Sequence, residues 1–174
     1  MDSKIISLFF VFLGLNLHAQ QFIGNNGIIS FFSQAPLENI SAINKKVVAA
    51  YDATTNDILF QLKIEHFNFH KTLMEEHFNE NYLESDIYPN STFTGKIIEK
   101  NNERVTVEGY LTIHGETNKI KVKGKLLEND NSIRINADFV VKLADYKVKI
   151  PKIVTYKIAK EIEVIVDIEL KEIE

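Results

Sequence analysis

The chain has 174 residues, a formal net charge of −4, 45% hydrophobic residues and no cysteine. That negative balance argues against a nucleic-acid partner, and seven Gly with three Pro in so apolar a chain argue against disorder. Whatever fold results must stand without disulfides.

The N-terminus carries Lys4 and then an apolar run from Ile5 to Leu17, too short to cross a bilayer. This is the anatomy of a cleavable signal peptide over residues 1–19, with the cut expected after Ala19. No Cys follows to accept a lipid anchor, and no later segment reads as transmembrane. The mature chain, residues 20–174, is therefore expected to be a soluble periplasmic or secreted protein. Its roughly 155 residues suffice for a single hydrophobic core. Loss of Asp2 and Lys4 together leaves the net charge unchanged.

From Gly27 the dominant signal is alternation. Ile29, Phe31, Ser33 and Ala35 share one parity before Pro36 ends the first strand. Asp57 to Phe69 places Ile58, Phe60, Leu62 and Ile64 on one face, then changes parity at Glu65 and His66 so that Phe67 and Phe69 take over, which predicts a bulge or sharp bend. Between Phe69 and Pro89 the pattern turns helical: Leu73, Met74, His77 and Phe78 predict a short helix near residues 72–79. Thr72 with Glu75 reads as a capping box, and Glu75 and Glu76 suit the positive end of the helix dipole.

Alternation then resumes. Val105, Val107, Gly109, Leu111 and Ile113 share a face, as do Ile120, Val122, Gly124 and Leu126, the latter interleaved with Lys119, Lys121, Lys123 and Lys125 on a solvent face. Asn129, Asp130 and Asn131 make a turn. Two more one-sided strands follow, one with Ile133, Ile135, Ala137, Phe139, Val141 and Leu143, the other with Ile158, Ile162, Val164, Val166, Ile168 and Leu170. About seven or eight such strands without helical crossovers predict an antiparallel meander that closes into a barrel.

Chemistry-bearing patterns are sparse. Of five His residues, His18 leaves with the signal. His66, His70 and His77, with Glu75 or Glu76, are the nearest approach to a metal set, but their spacing matches no compact zinc motif, and framework roles are the simpler reading. No Ser lies in a glycine-flanked elbow. Glu75 with Glu76 and Glu161 with Glu163 read as solvated faces, and Gly109, Gly115 and Gly124 sit in or beside strands rather than in a phosphate-cradling loop. No catalytic residue, metal or cofactor is therefore expected. The aromatic residues Phe60, Phe67, Phe69, Phe78, Tyr82, Tyr88 and Phe93 fall within a short span. They fit either an ordinary core or the wall of a ligand cavity, since an eight-stranded barrel has room for side chains or for one small ligand.

Tyr88-Pro89 with Phe93, preceded by Glu76-His77-Phe78, and then Gly109-Tyr110-Leu111-Thr112-Ile113-His114-Gly115 leading into Asn118 to Gly124, resemble the YceI-like family over essentially the whole mature chain. The resemblance implies an all-β fold, an extended eight-stranded antiparallel lipocalin-like barrel, exported and binding a polyisoprenoid or similar long-chain lipid without catalysis. Ser33-Gln34-Ala35-Pro36-Leu37-Glu38-Asn39-Ile40 departs from the family, whose members often carry a His-containing segment and a short helix there. The expectation is an apolar lipid ligand held by lumen candidates Phe60, Leu62, Phe67, Phe69, Phe78, Phe93, Leu111 and Phe139, with a homodimer as one way to shelter the cavity mouth. A non-catalytic stress-related scaffold with a filled barrel, meeting a partner through its Lys-rich face, is the competing expectation. A metal-dependent enzyme using His66, His70 and His77 is the third.

Overall fold

The computed structural model describes residues 20–34, 39–149 and 159–173. The expected signal peptide with its cleavage after Ala19, the strand-end residues Ala35, Pro36 and Ile158, and the neighbouring Leu37 and Glu38 lie outside the described residues.

Among the described residues nine strands follow in chain order: β1 Gln21–Ser33, β2 Ile40–Asp52, β3 Asp57–Lys63, β4 Asn68–Phe69, β5 Asn90–Asn101, β6 Arg104–Ile113, β7 Glu116–Asn129, β8 Ser132–Lys142 and β9 Glu161–Glu172. Every pairing is antiparallel, in the order β1-β9-β8-β7-β6-β5-β3-β2, and β1 also pairs with β2. That last ladder closes eight strands into a barrel, while two-residue β4 is appended to β2 through Ala42↔Phe69 and Ile43↔Asn68. Closure removes the sheet edges that an open meander of this apolar content would expose.

The registers follow from alternation. Phe60 pairs with Phe93 and Phe93 with Leu111, so three strands place a continuous row of large apolar side chains at one height. Three of the turn positions with positive φ carry residues that tolerate it, Asn56 at 62°, Asn102 at 52° and Gly115 at 75°, while Glu84, His114 and Lys147 adopt it as well.

The long strand expected from Asp57 to Phe69 is interrupted by a 3₁₀ turn at Ile64–His66. That turn is the predicted bend, and it lets both Ile64 and Phe67 be buried although their parities differ. The helix is present as α1, Thr72–His77, and runs on through a single π turn, Phe78–Tyr82, beyond the expected end at 79. The capping box is corrected. Lys71 occupies the N-cap but makes no side-chain capping hydrogen bond, Thr72 is already helical, and Glu75 turns back so that its Oε2 accepts the Phe69 N–H at 3.0 Å. The carboxylate thus stitches β4 to α1 rather than closing a box.

Buried residues form two clusters. One lies under α1 and includes Phe31, Phe67, Phe78, Leu111 and Tyr146; the other holds Phe22, Tyr51, Ile133, Ile168 and Leu170. Phe60 and Phe93 pack against both.

Candidate functional site

The core is hollow: a cavity of about 210 Å³ runs along the barrel axis and is lined by residues of both clusters. Phe60 and Leu62 reach it from β3, Phe93 from β5, Leu111 from β6 and Phe139 from β8, each by the period-two alternation of its strand. Phe67 is delivered by the 3₁₀ turn, Phe69 by β4 and Phe78 by the end of α1. All eight lumen candidates therefore face one space.

At the α1 end these rings lock together around Phe31. Its ring centroid is 5.4 Å from that of Phe67, 5.8 Å from Phe69 and 5.6 Å from Phe78, and Phe78 is 4.9 Å from Phe69. Edge-on and offset contacts of this kind add to the area they bury. Phe31 is legible in the sequence as an inward residue of β1 but not as the hub, because its three ring partners come from other segments. Deeper in the barrel Phe60 and Phe93 stand 6.5 Å apart. Phe93 lies over Gly95 and Gly109, where a Cβ on Gly109 would come within 2.7 Å of its Cζ, so the missing side chains make room for the ring.

No Asp, Glu, Lys, Arg or His lines the lumen among the described residues. Among its polar side chains, the Ser33 hydroxyl accepts the Ala159 N–H at 3.2 Å, the Ser91 hydroxyl donates to the Thr112 carbonyl at 2.8 Å, and Asn136 donates outward to Asp167 at 2.9 Å. Burial pushes the phenols of Tyr82 and Tyr146 above their ordinary range, which keeps them neutral at any physiological pH. The space can solvate a hydrocarbon and offers no acid–base pair.

The His residues do not converge. His66 lies 3.8 Å from Glu65 with its Nδ1 buried and without a hydrogen-bond partner, while His70 is exposed and His77 lies on α1. Among the described residues no group of three His, Asp or Glu side chains could hold a metal ion. The Lys face is a solvent surface: Lys119 pairs with Glu108 at 2.7 Å and Lys121 reaches the same carboxylate at 4.0 Å.

His114, in the sequence one of the scattered His residues and part of the Gly109–Gly115 motif, is given a task by the structure. Its Nε2 lies 2.7 Å from Glu84 Oε2, its Nδ1 is 3.2 Å from the Tyr146 carbonyl oxygen, and the Tyr88 ring stands edge-on at 4.6 Å. Gly115 holds φ at 75°, and a Cβ there would come within 2.5 Å of the Tyr88 ring. The Tyr-Pro and His-Gly motifs, distant in sequence, are thus two halves of one clasp. It ties the segment after α1 to the β6–β7 turn and to the 3₁₀ turn Leu143–Tyr146.

Comparisons with known proteins agree with this architecture. The model of the YceI-like domain matches residues 27–170. Among solved structures, BcnA of Burkholderia cenocepacia superposes with a TM-score of 0.74 at 16% identity, covering 82% of this chain and 95% of that one. A polyisoprenoid binding domain from Saccharophagus degradans, implicated in plant cell wall breakdown, gives 0.76 at 13% identity, over 89% and 99%. The YceI protein of Campylobacter jejuni gives 0.67 at 20% identity, over 81% and 90%. No curated protein sequence matches the chain. With the family pattern spanning the barrel from β1 to β9, the chain belongs to the YceI-like domain family.

Proposed function

We propose that this protein is an exported, non-catalytic carrier that holds an isoprenoid or another long-chain lipid in its barrel. The observation that carries the reading is the uncharged lumen of about 210 Å³, walled by Phe60, Leu62, Phe67, Phe69, Phe78, Phe93, Leu111 and Phe139. An apolar cavity of this size stays dry unless a hydrocarbon fills it. Each methylene moved from water into it gains about 0.8 kcal/mol. Ordering a flexible chain offsets part of that gain, so the ligand must be long. The related fold of a polyisoprenoid binding domain supports the choice of ligand class. Export rests on Lys4, the run from Ile5 to Leu17 and the small Ala19, and residues 20–174 then form one mature domain.

Native mass spectrometry on the full chain, expressed with its leader in a bacterial host, tests both parts. The expected species is the chain beginning at Gln20 with a lipid adduct that organic extraction removes. A bare mature chain that takes up no lipid on incubation overturns the carrier reading, and a product that retains residues 1–19 overturns export.

A further inference from the structure

The barrel wall is not zipped along its whole length. The β7–β8 ladder runs from Asn129↔Ser132 to Gly124↔Ala137 and stops, yet β7 continues to Glu116 and β8 to Lys142. On their other sides both strands stay paired: β7 with β6 from Lys125 to Glu116, β8 with β9 from Ser132 to Lys142. Two well-held strands therefore diverge from Gly124 and Ala137 onward.

A second cavity, of about 160 Å³, occupies the gap. It touches inward-facing Ile120, Val122, Phe139 and Val141, and also outward-facing Lys121, Val140 and Lys142. Successive side chains on a strand point to opposite faces, so one space bordered by both sets passes through the wall. Its inner end abuts the lumen, because Leu111, Ile120 and Phe139 line both cavities. The far end of the gap is closed by the turn Leu143–Tyr146, where Asn118 donates to the Asp145 carbonyl at 2.7 Å and Lys147 pairs with Glu116 at 2.7 Å.

Extending the antiparallel register would set Lys123 across from Asp138, Lys121 across from Val140 and Lys119 across from Lys142, so like charges that disfavour pairing meet only at the outer end of the gap. Val140 is left 58% exposed beside the opening.

We propose that this slit between β7 and β8 is the lateral portal through which an apolar chain passes into and out of the lumen. The inference rests on the carrier reading above. The route suits a chain-shaped ligand: one wall is aliphatic and aromatic, and no β7–β8 ladder pair has to break for the gap to widen beyond Gly124 and Ala137.

The absence of cysteine allows a clean test. A Lys121→Cys, Val140→Cys variant is bridged with a short bismaleimide after loading with the fluorescent fatty acid cis-parinaric acid, and release into excess vesicles is timed. Thr94→Cys, Tyr110→Cys, a directly paired position in the β5–β6 ladder, serves as the bridged control. Bridging the slit is expected to slow release at least about tenfold, a change in barrier that rate constants resolve readily, while the bridged control releases at the unbridged rate. Equal rates with and without the bridge at the slit overturn the portal and leave the carrier reading intact. Failure of the unbridged protein to bind the fatty acid at all overturns the carrier reading, and the portal with it.

Discussion

Asp167 illustrates how much a single outward side chain does on this barrel. It accepts from Arg134 Nε at 2.8 Å and Nη2 at 2.7 Å, and from Asn136 Nδ2 at 2.9 Å, joining β8 to β9. The Arg134 guanidinium holds its carboxyl below the usual carboxylate range, against the opposing effect of partial burial. A carboxyl with a lowered folded-state pKa stabilises fully above its unfolded pKa, near 3.9, and loses that contribution as pH falls through the folded value. Asp167→Asn is therefore expected to cost about 0.5–1 kcal/mol at neutral pH, discounted for solvent screening. The gap from wild type should close as pH drops below about 4, as urea titrations at several pH values would show. A gap independent of pH would mean that packing, not charge, holds the pair. Fully buried Asn44 is the inward counterpart: its Nδ2 donates to the Lys63 carbonyl at 2.9 Å and its Oδ1 accepts the Lys46 N–H at 2.9 Å. Nothing in local sequence marks an Asn as the fastener between two strands, because both partners are backbone atoms whose position the fold decides.

At the scale of elements, the strands were legible and the cap only partly so. Alternation is a property of each strand alone, so Val105 to Ile113 and Ile133 to Val141 could be oriented without knowing their neighbours. The capping box at Thr72 and Glu75 was misread because Glu75 had a better partner in the Phe69 N–H, which local sequence cannot weigh. The helix period did place Phe78 correctly toward the barrel, where it is buried against Phe31, Phe67 and Phe69. Since α1 has no other buried residue along Thr72–His77, Phe78 is the principal anchor of this element. Phe78→Ala is expected to destabilise the protein by about 3–5 kcal/mol, the usual cost of removing a buried ring. It should also expose amides of residues 72–82 to rapid hydrogen exchange while the β8–β9 ladder stays protected. Uniform loss of protection across the barrel would show instead that α1 and the strands unfold as one unit.

For the whole molecule, the quantity that matters is a volume, and alternation supplies direction without distance. The inward sets read from the sequence are the same whether the barrel is solid or hollow. What decides is how far closure of eight strands holds opposite walls apart compared with the side chains between them. Here Gly124 and Ala137 put little into the space, and about 210 Å³ remains. A cavity of fixed length imposes a limit that a greasy surface patch does not. Across a series of saturated fatty acids, affinity is expected to rise by up to about fourfold per added methylene, the equivalent of ~0.8 kcal/mol. It should then level off once the added carbons extend past the lumen into the slit between β7 and β8. Because only the folded barrel binds, the melting temperature should climb over the same chain lengths and plateau at the same point. Substituting Leu111→Trp, which fills the space where the two cavities meet, should move that plateau to shorter chains. Affinity that keeps rising with chain length and ignores the added ring would place the lipid on the outside of the barrel, since only an enclosed volume ties the length limit to an inward side chain.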